Sequence, residues 1–157
     1  MNNVELVNLH SNKDDWQTPK DLFMALDREF HFTLDPCSTH ENALCEKHYT
    51  KAENGLAQDW GGETVFMNPP YCRQTEKWIR KAYEESMKGA TVVCLIPARP
   101  DAGYWHNYIF PYACSIRFIK GRLHFSESKD RAGFPSAIII FHRASQGAYQ
   151  ALSFGGK

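Results

Sequence analysis

Thr64-Val65-Phe66-Met67-Asn68-Pro69-Pro70-Tyr71 is a short apolar run that passes directly into a proline-locked turn. Apolar and β-branched residues in succession read as a buried strand. The double proline ends it, because each ring fixes φ and removes a backbone donor. The carbonyls of Asn68 and Pro69 then point outward without a ladder partner. The turn is a rigid rack of hydrogen-bond acceptors, with the flat ring of Tyr71 directly behind it.

C-terminal to the turn, Trp78 and Ala82 with Ile79, Tyr83 and Met87 mark an amphipathic helix that Gly89 ends. Thr91 to Ile96 follows as a near-continuous apolar strand of the kind covered on both faces. Upstream, Thr18-Pro19 has the pattern of an N-cap followed by proline in the first turn, with Leu22, Phe23, Leu26 and Phe30 on one helical face. A strand at about 31 to 35 ends in Leu34-Asp35-Pro36-Cys37. A short helix from Glu41 to His48 is expected next, then a loop from Tyr49 to Gly62 around Asn54-Gly55. Downstream, Asp101 is placed to cap a helix carrying Tyr104, Trp105, Tyr108 and Ile109. Strands at Ser115 to Ile119, Arg122 to Phe125 and Ser136 to His142 complete the chain, the first two joined as a hairpin at Lys120-Gly121.

This alternation predicts an α/β fold: a mostly parallel sheet with an antiparallel C-terminal hairpin and helices on both faces. In such sheets ligands sit beyond the carboxyl ends of the strands, where Asp35 and Asn68 both fall. Residues 1 to 15 are polar and aperiodic and are expected to form a flexible arm, leaving 16 to 157 as one compact domain.

Composition narrows the function classes. A chain of 157 residues with 43% hydrophobic and 23% charged residues is that of a soluble globular domain. There is no apolar stretch of membrane-spanning length and no signal-peptide pattern, so a cytoplasmic location is expected. Five cysteines are an odd number without an export signal, and are read as reduced thiols. Net charge is zero, yet residues 1 to 98 hold 10 basic and 15 acidic side chains, whereas residues 99 to 157 hold 8 and 3. Phosphate contacts are expected in the basic half, although an unevenly charged solvated surface would give the same count.

Cys37-x2-His40 and Cys45-x2-His48 have zinc-ligand types and spacings. The four residues between the pairs are too few for two knuckles to wrap one tetrahedral ion, so no metal is assigned.

In order along the chain, Trp16-Gln17-Thr18-Pro19, Leu34-Asp35-Pro36-Cys37, Asn54-Gly55-Leu56 with Trp60, Asn68-Pro69-Pro70-Tyr71, Leu95-Ile96-Pro97-Ala98 and Gly121-Arg122 resemble the phage-type DNA N6-adenine methyltransferases. The resemblance covers about residues 15 to 142. It implies a Rossmann-like sheet, S-adenosylmethionine as methyl donor, DNA as partner, and a flipped-out adenine as acceptor. It places Asn68, Pro69, Pro70 and Tyr71 at the catalytic centre, with Trp16, Thr18, Pro19, Asp35, Pro36, Cys37, Asp59 and Asn68 around the cofactor. Thr18-Pro19 would look the same as a plain helix start, and Asp35 as a plain turn. The strand end at Asp35 lacks the Gly-x-Gly turn of the wider methyltransferase class.

For DNA contacts, Arg99, Trp105, Lys120 and Arg122 are the candidates, with Arg117 on the same hairpin as the last two. Trp105 at helical spacing also fits a core. No block is large enough for a separate target-recognition domain, so sequence reading is expected from short loops or with help from a second subunit in a homo-oligomer. If phage- or prophage-encoded, the chain would act in the cytoplasm of a bacterial host. Two alternatives stay open: methyl transfer to cytosine N4, RNA or a protein amide, and a non-enzymatic binding module, with or without zinc.

Overall fold

A computed structural model describes residues 16–126 and 128–143. The expected N-terminal arm lies outside the described residues. The elements are α1 (Lys20–Phe30), β1 (Thr64–Met67), α2 (Thr75–Met87), β2 (Thr91–Pro97), a π-helical turn (Trp105–Ile109) leading into the short α3 (Phe110–Tyr112), β3 (Ser115–Phe118) and β4 (Ser136–Phe141). A single 3-10 turn spans Gly55–Ala57.

The four strands form one sheet in the order β1-β2-β4-β3. β1 runs parallel to β2, with Val65 opposite Val92, and β4 is antiparallel to both its neighbours. The strand expected at 31 to 35 is reduced to two isolated parallel bridges, Leu34 to Val65 and Asp35 to His48, the first of which sets this segment on the outer side of β1 beside the Asn-Pro-Pro-Tyr turn.

Strand alternation builds the two halves of the core. Val65, Met67, Val92, Cys94, Ile96, Ala137, Ile139 and Phe141 face one way and pack with Trp78, Ile79 and Ala82 of α2 and with Trp105 and Ile109. Phe66, Val93, Leu95, Ile138 and Ile140 face the other way, toward Leu26 of α1, Phe125 and Ala132. Helices therefore cover both faces, as the pattern of the sequence requires.

Several expectations are corrected. The sheet is mixed, with one parallel and two antiparallel pairs, because the reversed strand β4 stands between β2 and β3. The hairpin between 115 to 119 and 122 to 125 does not form. β3 takes β4 as its partner, Arg117 opposite Ile138, while Phe125 turns inward with Trp16, Tyr71 and Phe134. Nor does 41 to 48 become a helix. The Asp35 N–H donates to the Lys47 carbonyl and the Tyr49 N–H donates to the Asp35 carbonyl, so this stretch gives its backbone to the strand end instead.

The 105 to 112 segment is helical but widened: the Phe110 N–H reaches back five residues to the Trp105 carbonyl just before Pro111, which has no N–H to offer. Among the described residues, no helix is long and apolar enough to cross a membrane.

Candidate active site

The acceptor turn is held by its neighbours as a defined chemical object. The Asn68 side-chain amide donates to the Trp16 carbonyl and, at 3.0 Å, to Thr18 Oγ1. A carbonyl can only accept, so the amide nitrogen must face Trp16 and Oδ1 must face the other way. Oδ1 accepts from the Tyr71 hydroxyl at 2.7 Å. The Asn68 backbone carbonyl accepts from the Cys37 thiol at 3.3 Å. The Pro70 carbonyl accepts from Thr75 Oγ1 at 2.7 Å, which ties the turn to the start of α2.

Thr18 is thus not the N-cap that the sequence suggested. Pro19 occupies that position, no side chain caps the helix, and the Thr18 hydroxyl serves Asn68. Ser126 fastens the same strap: its N–H donates to the Gln17 carbonyl at 3.1 Å and its hydroxyl to the Thr18 carbonyl at 2.9 Å.

Tyr71 lies in a cluster of rings. It meets Phe134 edge-on at 5.7 Å and Phe125 at 6.3 Å, and Trp16 contacts both phenylalanines. The Arg99 guanidinium stands 5.7 Å from the Phe134 centroid. Burial pushes the Tyr71 phenol well above its ordinary range, so it stays a neutral donor. Phe125, Ser126 and Phe134 were not legible as site residues, because nothing in local spacing links them to a turn more than fifty residues upstream.

Beside the turn opens a cavity of about 1050 Å³ whose walls include Trp16, Thr18, Asp35, Ser38, Gly55 and Asn68. Pro36 and Cys37 also line it. Asp35 is 4% exposed; its carboxylate accepts from the Leu44 N–H at 3.1 Å and the Cys37 N–H at 3.4 Å. Burial raises its pKa above the usual carboxylate value, and these donors and the nearby His48 offset only part of that. The Ser38 hydroxyl comes near the same carboxylate but makes no hydrogen bond of good geometry.

These residues fit S-adenosylmethionine. A buried, under-compensated carboxylate suits the ammonium of its methionine portion, and the cavity is large enough for the whole molecule. Gly55, from another loop, lines the same cavity. A Cβ on Gly55 would stand 2.0 Å from the Pro36 carbonyl oxygen, so only glycine lets the 54 to 57 turn close against the Asp35-Pro36 strand end.

Other candidates fall elsewhere. Asp59 is exposed, its carboxylate accepts from the Gly61 N–H at 2.8 Å, and it does not line the cavity; nor does Pro19. Trp105 is fully buried and stacked against Phe118, so it is core and unavailable to DNA. Arg117 is held by Glu29 through two hydrogen bonds of 2.7 and 2.6 Å and lies over Phe30. Arg99, Lys120 and Arg122 are exposed. The Cys/His set does not converge: His40 and His48 meet at 2.9 Å, Cys37 faces the Asn68 carbonyl, and Cys45 lines a separate hollow. No group of three or more potential metal-ligating His, Cys, Asp or Glu occurs among the described residues.

The sequence profile of the DNA N-6-adenine-methyltransferase (Dam) family matches residues 7–157, almost the entire chain. The chain belongs to this family. Among its relatives, the DNA N-6-adenine-methyltransferase of Escherichia phage T1 is 33% identical over 113 residues, 71% of this chain and 47% of that protein. The putative methyltransferase YfdM of Escherichia coli strain K12 is 37% identical over 65 residues, 37% of this chain and 71% of that protein. The chain thus spans about half the length of the phage relative that it matches. Asn68 and Asp35 line one cavity, Asn68 just beyond β1 and Asp35 beside the Leu34 bridge to that strand.

Proposed function

We propose that the chain transfers a methyl group from S-adenosylmethionine to the exocyclic N6 of adenine in DNA, on a base swung out of the helix. The observation that carries this is the fixed Asn68 amide, its oxygen turned away from the Trp16-Thr18 strap, at the edge of a cavity containing a buried carboxylate.

The exocyclic amine of adenine is a weak nucleophile because its lone pair is delocalised into the ring. Two acceptors, Asn68 Oδ1 and the Pro69 carbonyl, would draw on its two N–H bonds and favour a more pyramidal nitrogen. This is positioning and electrostatic preorganisation rather than abstraction by a strong base. The bound cofactor supplies an electrophilic methyl on a positively charged sulfur. Asp35 would hold its ammonium, Ser38 would offer a hydroxyl, and Pro36 and Gly55 would shape the wall between them.

Extruding the base costs a few kcal/mol, part of which returns if it stacks on Tyr71. Arg99, Lys120 and Arg122 would meet the phosphates. The strand directions fit a Rossmann-like sheet in which β4 is the reversed strand: β1, β2 and β3 point one way, with Leu34-Asp35 outside β1. If phage-encoded, the enzyme would act in the host cytoplasm, and a second subunit would widen the surface that reads sequence.

Labelled S-adenosylmethionine, incubated with DNA and RNA and followed by nucleoside digestion, tests the proposal. Label in N6-methyladenine from DNA is expected. Label in another nucleoside would reassign the acceptor, and absence of both label and cofactor binding would refute enzymatic function. Asn68→Ala should abolish transfer while cofactor binding persists.

A further inference from the structure

We infer that Thr18 and the Trp16 carbonyl are positioning elements for Asn68, and that they make an amide, not a carboxylate, obligatory at position 68 in this chain. The inference rests on the methyl-transfer function proposed above and deepens it.

An asparagine side chain can rotate by half a turn about χ2, exchanging its oxygen and nitrogen with little change of shape. Only one of the two poses offers an acceptor to a substrate amine. Here the choice is made by Trp16 and Thr18. The Trp16 carbonyl has no proton to give, so Oδ1 in that place would meet oxygen against oxygen; the nitrogen there makes two hydrogen bonds, to Trp16 O and Thr18 Oγ1. With both amide protons committed, Oδ1 is held toward the opposite side, where Tyr71 now bonds to it.

The strap is itself held at three points. Ser126 takes the carbonyls of Gln17 and Thr18, and the Trp16 ring packs 5.0 Å from Phe125 and 5.3 Å from Phe134. Trp16 and Thr18 therefore cannot simply follow a rotating Asn68; they dictate its pose. An aspartate at position 68 would be nearly the same size but would place a carboxylate oxygen against the Trp16 carbonyl. It would either turn away, taking the acceptor from the place where the amine arrives, or have to hold a proton on the oxygen facing Trp16, a neutral form that is scarce at neutral pH for a carboxyl with an ordinary pKa.

Steady-state methyl transfer and cofactor binding should be measured for the parent chain, Asn68→Asp, Thr18→Val and Thr18→Ser. Asn68→Asp is expected to lose roughly 100-fold or more in kcat, comparable with loss of a transition-state hydrogen-bonding group. Thr18→Val, nearly isosteric but unable to accept, should lose about tenfold in kcat with KM for DNA little changed, as expected for about 1.4 kcal/mol. Thr18→Ser should restore kcat to within about twofold. A Thr18→Val enzyme with parental kcat, or an Asn68→Asp enzyme within about threefold of the parent, would overturn the inference. Should Thr18→Val fail to fold, Asn68→Asp decides alone. An inactive parent chain would instead refute the function on which the inference rests.

Discussion

The Tyr71 hydroxyl donates to Asn68 Oδ1 at 2.7 Å and also lies 3.2 Å from the Leu95 carbonyl, so the oxygen assigned to the target amine already has a partner within the chain. An arriving amine must share that oxygen or displace the hydroxyl. The hydroxyl therefore keeps a polar acceptor satisfied while no substrate is present.

Tyr71→Phe should accordingly leave kcat within about fivefold of the parent, since the ring remains and only a substitute donor is lost. Tyr71→Ala removes the ring and should lower kcat/KM by about 10- to 100-fold, the scale of one base-aromatic stack. Equal losses in the two variants, measured by steady-state kinetics, would show that the hydroxyl itself takes part in the reaction.

Asp35→Asn should weaken S-adenosylmethionine binding by about 10-fold or more, because a charge-assisted bond to the ammonium is replaced by a neutral one. Folding stability should fall by about 1–3 kcal/mol, since both carboxylate oxygens accept backbone N–H bonds, from Cys37 and Leu44, and the amide nitrogen must leave one of these donors without a partner. Calorimetric titration and urea unfolding measure the two effects separately.

The raised pKa of Asp35 gives a pH signature. Burial favours its protonated form, so this group's contribution to folding is greatest below its unfolded pKa and is lost as pH rises through the folded pKa. Cofactor binding runs the other way, since the ammonium needs the anion. Affinity should fall as pH drops toward the raised pKa, and Asp35→Asn should flatten that dependence in a binding series at different pH values.

Glu85 has the opposite sign. Burial alone would raise its pKa, but hydrogen bonds from Lys81, Trp60 N–H and Lys88 outweigh it and hold the pKa below 4.5. Its contribution is full above the unfolded pKa and is lost as pH falls through the lower, folded value. Glu85→Ala leaves a largely buried Lys81 and an unpaired Trp60 N–H, and should cost about 3–5 kcal/mol in urea unfolding.

Lys120→Ala and Arg122→Ala should each weaken DNA binding alike across sequences and reduce the salt slope by roughly one unit. Arg117→Ala should leave the slope unchanged, because its guanidinium is already paired with Glu29. Binding titrations at several salt concentrations distinguish them.

The parts of this fold legible in the sequence are those where neighbouring residues share one job. Thr64 to Met67 and Thr91 to Ile96 are apolar because both faces of their strands are covered, and α2 shows its buried stripe at Trp78, Ile79 and Ala82. Reading failed where a side chain serves something distant. Thr18 has the look of a cap, but its hydroxyl is bound to Asn68, fifty residues on. Arg122 to Phe125 has the look of a strand, but Phe125 packs on Tyr71 and Trp16. Glu41 to His48 has the composition of a helix, but Asp35 claims the Leu44 N–H and pairs its backbone with Lys47 and Tyr49. The Asn-Pro-Pro-Tyr turn was readable because proline fixes its shape locally; the pose of its amide was not, because that is decided by the strap.

The placement of β4 between β2 and β3 also bears on how the protein is made. Among the described residues Ser136–Phe141 is the last strand in sequence, yet it fills an interior position in the sheet, with β2 on one side and β3 on the other. During synthesis β2 and β3 leave the ribosome well before it and carry open hydrogen-bonding edges until it arrives. For that interval Val93, Leu95 and Ile96 lie next to an unpaired edge, the kind of surface that recruits stray strands. Pauses in translation ahead of Ser136 are therefore expected to prolong the exposure of that edge, and aggregation of stalled chains is where this would be seen.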